Sequence, residues 1–239
     1  MNITLTGFMG TGKTAVGKRL AKQLGWRFVD IDGLIVERAG MPVTKIFAEH
    51  GEAVFRRLEE RTIRRVVRSH EQVIATGGGA FANPANRRVL RAVGPVICLT
   101  AAPQVILQRV SPTLASRPLL ANAPSPLARI EQLMNQRASA YAHADLLINT
   151  SALSLDEVAE RIWDQLGPWM SKSWQYLLKH SHKLPQRYGG KYIVVLGDRI
   201  VAVGATQLEA YQRIAKPVPP RCEVGIYYIP SPAEPAIAL

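Results

Sequence analysis

The chain has 239 residues, with 30 Lys or Arg and 18 Asp or Glu, so its formal net charge is +12. Hydrophobic residues make up 47% and charged residues 20%, a balance that is typical of globular proteins and excludes a disordered or collagen-like chain. The positive surplus has three candidate explanations: anionic small substrates, a nucleic-acid partner, or a basic surface without a dedicated partner.

Short apolar runs alternate with amphipathic stretches over the first part of the chain. The apolar runs predict strands at residues 2–6, 27–30, 73–76, 95–99 and 145–149. The amphipathic stretches predict helices at residues 14–24, 46–69 and 154–166. Strands that alternate with helices predict an α/β fold of three layers, in which helices cover both faces of a five-stranded parallel sheet.

The pattern changes after Gly167-Pro168. The remainder predicts a helix, a hairpin, a helix with capping-box spacing and a third strand, at residues 171–183, 192–203, 206–215 and 224–229. We therefore predict two domains, residues 1–170 and a small α+β module at residues 171–239.

Residues 7–14 read GFMGTGKT and fit the pattern G-x-x-x-x-G-K-[ST] between a predicted strand and a predicted helix. Backbone N–H groups of such a loop close around phosphate oxygens, Lys13 reaches the β- and γ-phosphates, and the Thr14 hydroxyl binds Mg²⁺. We find no N-K-x-D-like signal for a guanine base, which favours ATP. The residues expected to contact the nucleotide are Gly10, Thr11, Gly12, Lys13, Thr14 and Ala15.

Asp30 and Asp32 follow the second predicted strand with one residue between them. Alternation along an extended segment would put both carboxylates on one side, at the edge of the sheet where ligands bind. One carboxylate could hold Mg²⁺ through water, and the other could accept a hydroxyl hydrogen. Aspartates that cap a helix or a turn give the same pattern, so this motif alone leaves both interpretations open.

Four further segments carry candidate ligand-binding groups. Arg56 lies on a charged helix, a pattern that alone is typical of a solvated face. The glycines of residues 77–79 follow a strand directly, so their backbone can approach a ligand closely. Arg117 lies in a proline-punctuated stretch that predicts a mobile lid, and Arg137 precedes Tyr141 on a predicted helix.

Taken together and in this order, these motifs resemble those of shikimate kinases. The matching segments are residues 7–14, 28–32, 51–56, 77–79, 117–120 and 137–141, and the resemblance covers residues 1–168. It implies a P-loop kinase fold and transfer of the γ-phosphate of ATP to the 3-hydroxyl of shikimate, a step toward chorismate and the aromatic amino acids.

The resemblance also implies a role for each matching residue. Asp32 would bind the acceptor hydroxyl and act as its base, and Asp30 would join Thr14 around Mg²⁺. Arg56 and Arg137 would bind the shikimate carboxylate, since a planar guanidinium can donate two parallel hydrogen bonds to it. In addition, the Gly78 backbone would contact the ring, and Arg117 would close with the lid onto the ATP phosphates as a catalytic group beside Lys13 and Asp32.

One feature departs from the family pattern. Shikimate kinases often carry a basic residue near the adenine, in the loop after the last core strand, but residues 149–154 contain no arginine. This departure concerns how the adenine is bound and not the reaction. A second enzymatic hypothesis is kept separately, namely another small-molecule kinase of this fold, such as a gluconate-type kinase.

The remaining expectations concern partners and location. Arginines from Arg56 to Arg68 form a basic helix, but Glu52, Glu59 and Glu60 interleave with them, and zinc-finger spacing is absent. We therefore expect ATP and shikimate as partners, a monomer, no nucleic acid and no membrane. Cys98 and Cys222 form no CxxC pair or disulfide framework, which favours a cytoplasmic protein. The 171–239 module loosely resembles a short domain of unknown function.

Overall fold

The structure, a computed structural model, describes residues 1–120, 123–167, 171–180, 182–214 and 224–231. The chain divides into two compact units, which we call the N-terminal unit (Met1–Gln165) and the C-terminal unit (Leu166–Leu239). The sequence places the boundary after residue 170, which lies outside the described residues, as does Cys222.

The N-terminal unit is built on five parallel strands. They are β1 (Asn2–Gly7), β2 (Arg27–Asp30), β3 (Gln72–Ala75), β4 (Val96–Thr100) and β5 (Leu146–Asn149). Their order in the sheet is β2-β3-β1-β4-β5, and β1 pairs Leu5 with Ala75 on one side and with Ile97 on the other. The predicted five-stranded parallel sheet is therefore confirmed.

Helices cover both faces of this sheet. They are α1 (Lys13–Leu24), α2 (Ile31–Ala39), α3 (Val43–Val66), α4 (Pro84–Arg91), α5 (Pro103–Val110), α6 (Pro126–Tyr141) and α7 (Leu155–Gln165). Helices α1 and α7 pack side by side. Residues of α3, α4 and α6 share an apolar cluster with Ile74 and Cys98, which lie on one face of the sheet, whereas Leu5 and its partner Ile97 lie on the other. The three-layer prediction is confirmed.

Helix α3 is broken at Gly51, although the sequence predicts one continuous helical region there. Gly51 has φ 78° and ψ 165°, left-handed values that an L-residue with a Cβ adopts only with strain. Phe47 before the break and Phe55 after it pack together, with their ring centroids 5.0 Å apart. The kink therefore sets the angle at which two helical segments meet.

One predicted capping box is complete, and in the other the glutamate carboxylate accepts the N–H of the residue before the cap, Ala205. The Ser154 hydroxyl accepts the Glu157 N–H at 3.2 Å, and the Glu157 carboxylate accepts the Ser154 N–H at 2.7 Å, directly before α7. Thr206 likewise accepts the N–H of Glu209 at 3.1 Å. Both pairs satisfy N–H groups that a helix start leaves without intrahelical partners.

The C-terminal unit is a small α+β module, as predicted. Its elements are α8 (Lys172–His180), α9 (Leu184–Tyr188), β6 (Lys191–Leu196), β7 (Arg199–Gly204), α10 (Gln207–Gln212) and β8 (Val224–Ile229). The strands form an antiparallel sheet in the order β7-β6-β8. Ile193 packs with Leu177 and Leu184 on one face, and Val194 packs with Ala210 on the other. Among the described helices of the whole chain, none has the length and apolar character that a bilayer span requires.

Candidate active site

The loop of residues 7–14 connects β1 to α1 at the carboxyl edge of the parallel sheet. Gly10 and Gly12 have φ values of 76° and 94°, and Gly12 is the N-cap of α1. Glycine adopts these left-handed values without strain, so the chain turns from the strand directly into the helix. The positive end of the α1 dipole therefore lies at this loop, which favours a bound anion.

A cavity of about 340 Å³ lies beside this loop, and we call it the nucleotide cavity. Predicted site residues that line it are Gly10, Gly12, Lys13, Thr14, Ala15, Asp30, Asp32 and Arg117. The side chain of Thr11 is instead buried, and its hydroxyl donates to the Phe8 carbonyl oxygen at 2.8 Å. Thr11 therefore supports the loop from its inner side.

Lys13 is held at the base of the nucleotide cavity. Its Nζ donates to the Phe8 carbonyl oxygen at 2.8 Å. Loss of hydration lowers the pKa of Lys13 to about 8, even though the neighbouring Asp32 acts to raise it. An anionic phosphate beside Nζ would raise this pKa again, so nucleotide binding and the charged form of Lys13 favour each other.

The two predicted metal ligands are bound to each other. The Thr14 hydroxyl donates to Oδ2 of Asp30 at 3.0 Å. The other carboxylate oxygen, Oδ1, accepts the N–H groups of Asp32 and Gly33 and so caps α2. A hydroxyl and a carboxylate are hard oxygen ligands, and Mg²⁺ in nucleotide sites takes few protein ligands besides phosphate oxygens and water. The residues present therefore fit a magnesium ion that is bound together with a nucleotide.

The prediction that Asp30 and Asp32 extend from one strand needs correction. Helix α2 begins at Ile31, directly after the strand, so Asp32 lies in the first helical turn. Both carboxylates nevertheless line the nucleotide cavity, because one comes from a strand end and the other from the helix that the first one caps.

A second cavity of about 250 Å³ adjoins the first, and we call it the arginine cavity. The predicted site residues that line it are Asp32, Arg56, Gly78, Arg117 and Arg137. Its apolar lining includes Val43, Phe47, Phe55 and Leu119. Asp32 and Arg117 line both cavities. A carboxylate and a guanidinium therefore stand where the two cavities meet.

Arg56 and Arg137, two of the arginines that line the arginine cavity, are held by hydrogen bonds. Arg56 donates to Glu52 at 2.8 Å and to Glu59 at 2.9 Å. Arg137 donates to the Gly78 carbonyl oxygen at 3.1 Å, and that oxygen also accepts the Tyr141 hydroxyl at 2.5 Å. Two fixed guanidinium groups on one cavity are suited to bind a carboxylate ligand.

Glu59 is a site residue that the sequence analysis missed. Its side chain is fully buried, and it lines the arginine cavity next to Arg56. Burial raises the pKa of Glu59 to about 7, against the lowering effect of Arg56. The signal in the sequence is the spacing of three residues between Arg56 and Glu59, which on a helix brings the two side chains together.

The carboxylates of Asp32 and Glu59 both lie next to Gly77. A Cβ at Gly77 would lie 2.7 Å from Oδ1 of Asp32 and 2.8 Å from Oε1 of Glu59, so a larger residue there would displace these two carboxylates. Neither of these two buried oxygens has a hydrogen-bond partner among the described atoms. Burial, followed by the charge of Asp30, raises the pKa of Asp32. Two unsatisfied acceptors on one cavity wall are suited to a ligand that brings hydroxyl donors.

Arg109 is the second residue that the sequence analysis missed. From α5 it donates to Oγ1 of Thr150 at 2.9 Å and to the carbonyl oxygen of Thr150 at 2.7 Å. It also donates to the Gly10 carbonyl oxygen at 3.4 Å. The loop after β5 contains no arginine of its own. Arg109 instead brings a guanidinium from α5 to this loop and connects the loop to the phosphate loop.

Arg117 stands at the start of the predicted lid. Its Nε donates to the Thr113 hydroxyl at 3.2 Å, and its backbone carbonyl oxygen accepts the Leu120 N–H at 2.9 Å. Burial lowers the pKa of Arg117, yet a guanidinium keeps its charge at neutral pH. The described part of the lid therefore presents a cation to both cavities.

Replacing Glu59 with glutamine should change the pH dependence of stability. Between about pH 4.5 and 7, folded Glu59 keeps a proton that the unfolded chain has released, so stability falls as the pH rises through this window. Glu59→Gln removes this contribution. Between pH 5 and pH 8, the free energy of unfolding of the variant should therefore rise relative to that of the unsubstituted protein by on the order of 2 kcal/mol. Urea unfolding at several pH values measures the difference.

Glu60→Gln is the matched control, because Glu60 pairs with Arg64 on the exposed side of the same helix. The difference in the free energy of unfolding between Glu60→Gln and the unsubstituted protein should not change over this pH range. If the difference for Glu59→Gln does not change either, the raised pKa of Glu59 is contradicted.

Comparison with known proteins identifies the N-terminal unit. A family model for shikimate kinase matches residues 9–167, and one for a family of unknown function, DUF5678, matches residues 183–232. The chain is 49% identical to a shikimate kinase of Geobacter sulfurreducens over 161 residues, 67% of this chain and 88% of that relative. It is 47% identical to the shikimate kinase of Caldanaerobacter subterraneus over 161 residues, 67% of this chain and 93% of that relative.

Solved structures agree with this assignment. Shikimate kinase from Acinetobacter baumannii in complex with shikimate matches with a TM-score of 0.65 and 33% identity, over 77% of this chain and 94% of that one. A shikimate kinase from Bacteroides thetaiotaomicron matches with a TM-score of 0.64 and 32% identity, over 70% and 98% of the two chains. Since the family model spans more than half of the chain, this protein belongs to the shikimate kinase family.

Proposed function

We propose that the N-terminal unit transfers the γ-phosphoryl group of ATP to the 3-hydroxyl of shikimate and so makes shikimate 3-phosphate for aromatic amino-acid biosynthesis. Family membership supports this activity, as do shikimate kinases that are 39–49% identical to the chain. The structural observation that carries the proposal is the junction of the two cavities, where Asp32 and Arg117 line both.

The arginine cavity supplies the acceptor site. Arg56 and Arg137 bind the shikimate carboxylate from two sides and thereby orient the ring. Asp32 and Glu59 carry unsatisfied acceptor oxygens on the same wall, which can receive hydrogen bonds from ring hydroxyls. Apolar side chains such as Phe47 and Phe55 pack against the carbon skeleton and exclude water, which would otherwise compete as an acceptor.

The nucleotide cavity supplies the charge that phosphoryl transfer requires. Lys13 and Arg117 contact the phosphate oxygens and stabilise the negative charge that develops on them. Asp32 binds the acceptor hydroxyl and takes up its proton, a role that suits a carboxylate with a raised pKa. The acceptor oxygen is thereby held in line with the phosphoryl group.

Thr14 and Asp30 would hold Mg²⁺, which when bound neutralises charge on the β- and γ-phosphates. Arg109 contacts both Thr150 and the Gly10 carbonyl oxygen of the phosphate loop, and these contacts make Arg109 and Thr150 the candidates for binding the base. The monomeric state, the cytoplasmic location and the absence of a membrane partner stay predictions. The gluconate-type alternative lacks comparable support, since the family model and the relatives at 39–49% identity are those of shikimate kinases.

A substrate panel tests the proposed function. Coupled ADP release should require shikimate and stay at background with gluconate at the same concentration. Lys13→Ala should lose at least about a hundredfold in turnover, because it removes a charge that stabilises the transition state. Equal rates with both acceptors, or an unimpaired Lys13→Ala enzyme, would contradict the assignment.

Asp32→Asn separates proton transfer from positioning. Asparagine keeps the shape and one acceptor oxygen but cannot take the proton, so kcat should fall by about a hundredfold or more. The KM for shikimate should change by less than about threefold. Steady-state kinetics measure both values, and a loss in kcat below tenfold would reduce Asp32 to a positioning residue.

Removal of the C-terminal unit tests whether the kinase domain is complete without it. The residues that line both cavities belong to the N-terminal unit, so a chain ending at Gly167 should keep kcat within about threefold. Circular dichroism establishes that the shortened chain is folded. A folded but inactive chain would assign the C-terminal unit a part in catalysis.

A further inference from the structure

The outer face of α3 carries arginines that the proposed activity does not use. Counted at about 100° per residue, four of them fall within an arc of about 100°. These four and one arginine in the turn after the helix form what we call the arginine stripe, which consists of Arg57, Arg61, Arg64, Arg65 and Arg68, and all five are exposed. The buried side chains of this helical segment, such as Phe55, Ile63 and Val66, lie on the opposite side. The stripe therefore faces away from the core.

The interleaved glutamates, which count against a nucleic-acid partner in the sequence, do not neutralise this stripe. Glu59 is fully buried, and Glu52 pairs with Arg56, whose side chain lines the arginine cavity. Glu60 borders the stripe and pairs with Arg64 at 2.9 Å. Two of the three negative charges are therefore directed toward the active site.

The other four arginines of the stripe are unpaired. Across the described part of the chain, Arg57, Arg61, Arg65 and Arg68 make no ion pair. The neighbouring helix α4 reads PANRRVLR and contributes no acidic residue. Four of the five guanidinium charges on this surface therefore have no ion-pair partner among the described residues, and three of these four lie within about two turns of α3.

We propose that the arginine stripe binds the sugar–phosphate backbone of a nucleic acid, independently of sequence. From Arg57 to Arg65 the helix rises by about 12 Å at 1.5 Å per residue. A duplex strand presents about one phosphate per 3.4 Å of its axis, so this length spans about three to four phosphates. Guanidinium groups suit this partner because each can donate two parallel hydrogen bonds to one phosphate.

The composition of the surface disfavours other anionic partners. An amphipathic helix that binds a membrane inserts apolar side chains into the lipid, but the apolar side of α3 is buried in the protein core. A protein interface requires an apolar centre, and the strongly exposed large hydrophobic residues among those described lie on other elements, at Leu147, Leu155, Leu208 and Tyr211.

Fluorescence anisotropy with a labelled DNA duplex of random sequence tests this proposal on the full chain. Neutralising four phosphate contacts gives a slope of log K against log salt of about −3.6, so affinity should fall about a hundredfold between about 50 and 200 mM salt. The variant with Arg57, Arg61, Arg65 and Arg68 all changed to glutamine should lose at least about tenfold in affinity at the lower salt concentration, with a slope near zero.

The matched control changes Lys18, Lys22, Arg27 and Arg38 to glutamine, which removes the same charge from other exposed positions of the N-terminal unit. It should lose less than about threefold in affinity, and both variants should keep their shikimate-dependent ADP release, which shows that they are folded. Equal losses in the two variants, no binding by the unsubstituted protein, or equally tight binding to anionic lipid vesicles or to polyglutamate would overturn the proposal.

Discussion

Parallel pairing in the order β2-β3-β1-β4-β5 brings the carboxyl ends of five strands to one edge of the sheet, and the rest of the site depends on this constraint. The phosphate loop follows β1, Asp30 ends β2, Gly77 comes soon after β3, and Thr150 follows β5. Residues far apart in sequence therefore meet without long loops. Helices α1 and α2 then add Lys13, Thr14 and Asp32, because their first turns start at that same edge.

The fold class and most of the site can be predicted from the sequence because they depend on local patterns. Short apolar runs that alternate with helices identify the sheet, and a contiguous glycine-rich motif identifies the phosphate loop. Alternation places Asp30 and Asp32 at the correct edge for an incorrect reason, since α2 begins at Ile31, within the segment that alternation assumes to be extended. A cap is a local interaction that can end a strand abruptly, and strand periodicity carries no information about it.

Glu59 and Arg109 could not be predicted with the same ease, because their roles depend on tertiary structure. A glutamate on an arginine-rich helix is typical of a solvated ion pair, and only the packing of α3 against the sheet shows that Glu59 is buried. Arg109 reaches Thr150 across 41 positions of sequence. Such a contact exists only once α5 and β5 are placed side by side, and no spacing rule encodes it.

The break in α3 at Gly51 has a consequence for how the family's pocket can vary. Val43 and Phe47 precede the break and Phe55, Arg56 and Glu59 follow it, yet all five line one cavity. No atom lies within 4 Å of the place where a Cβ at Gly51 would stand, so the φ of 78° alone restricts this position. The backbone torsion at Gly51 thus fixes how two parts of the cavity wall meet, and a substitution there would change the shape of the pocket while every residue that lines it stays the same.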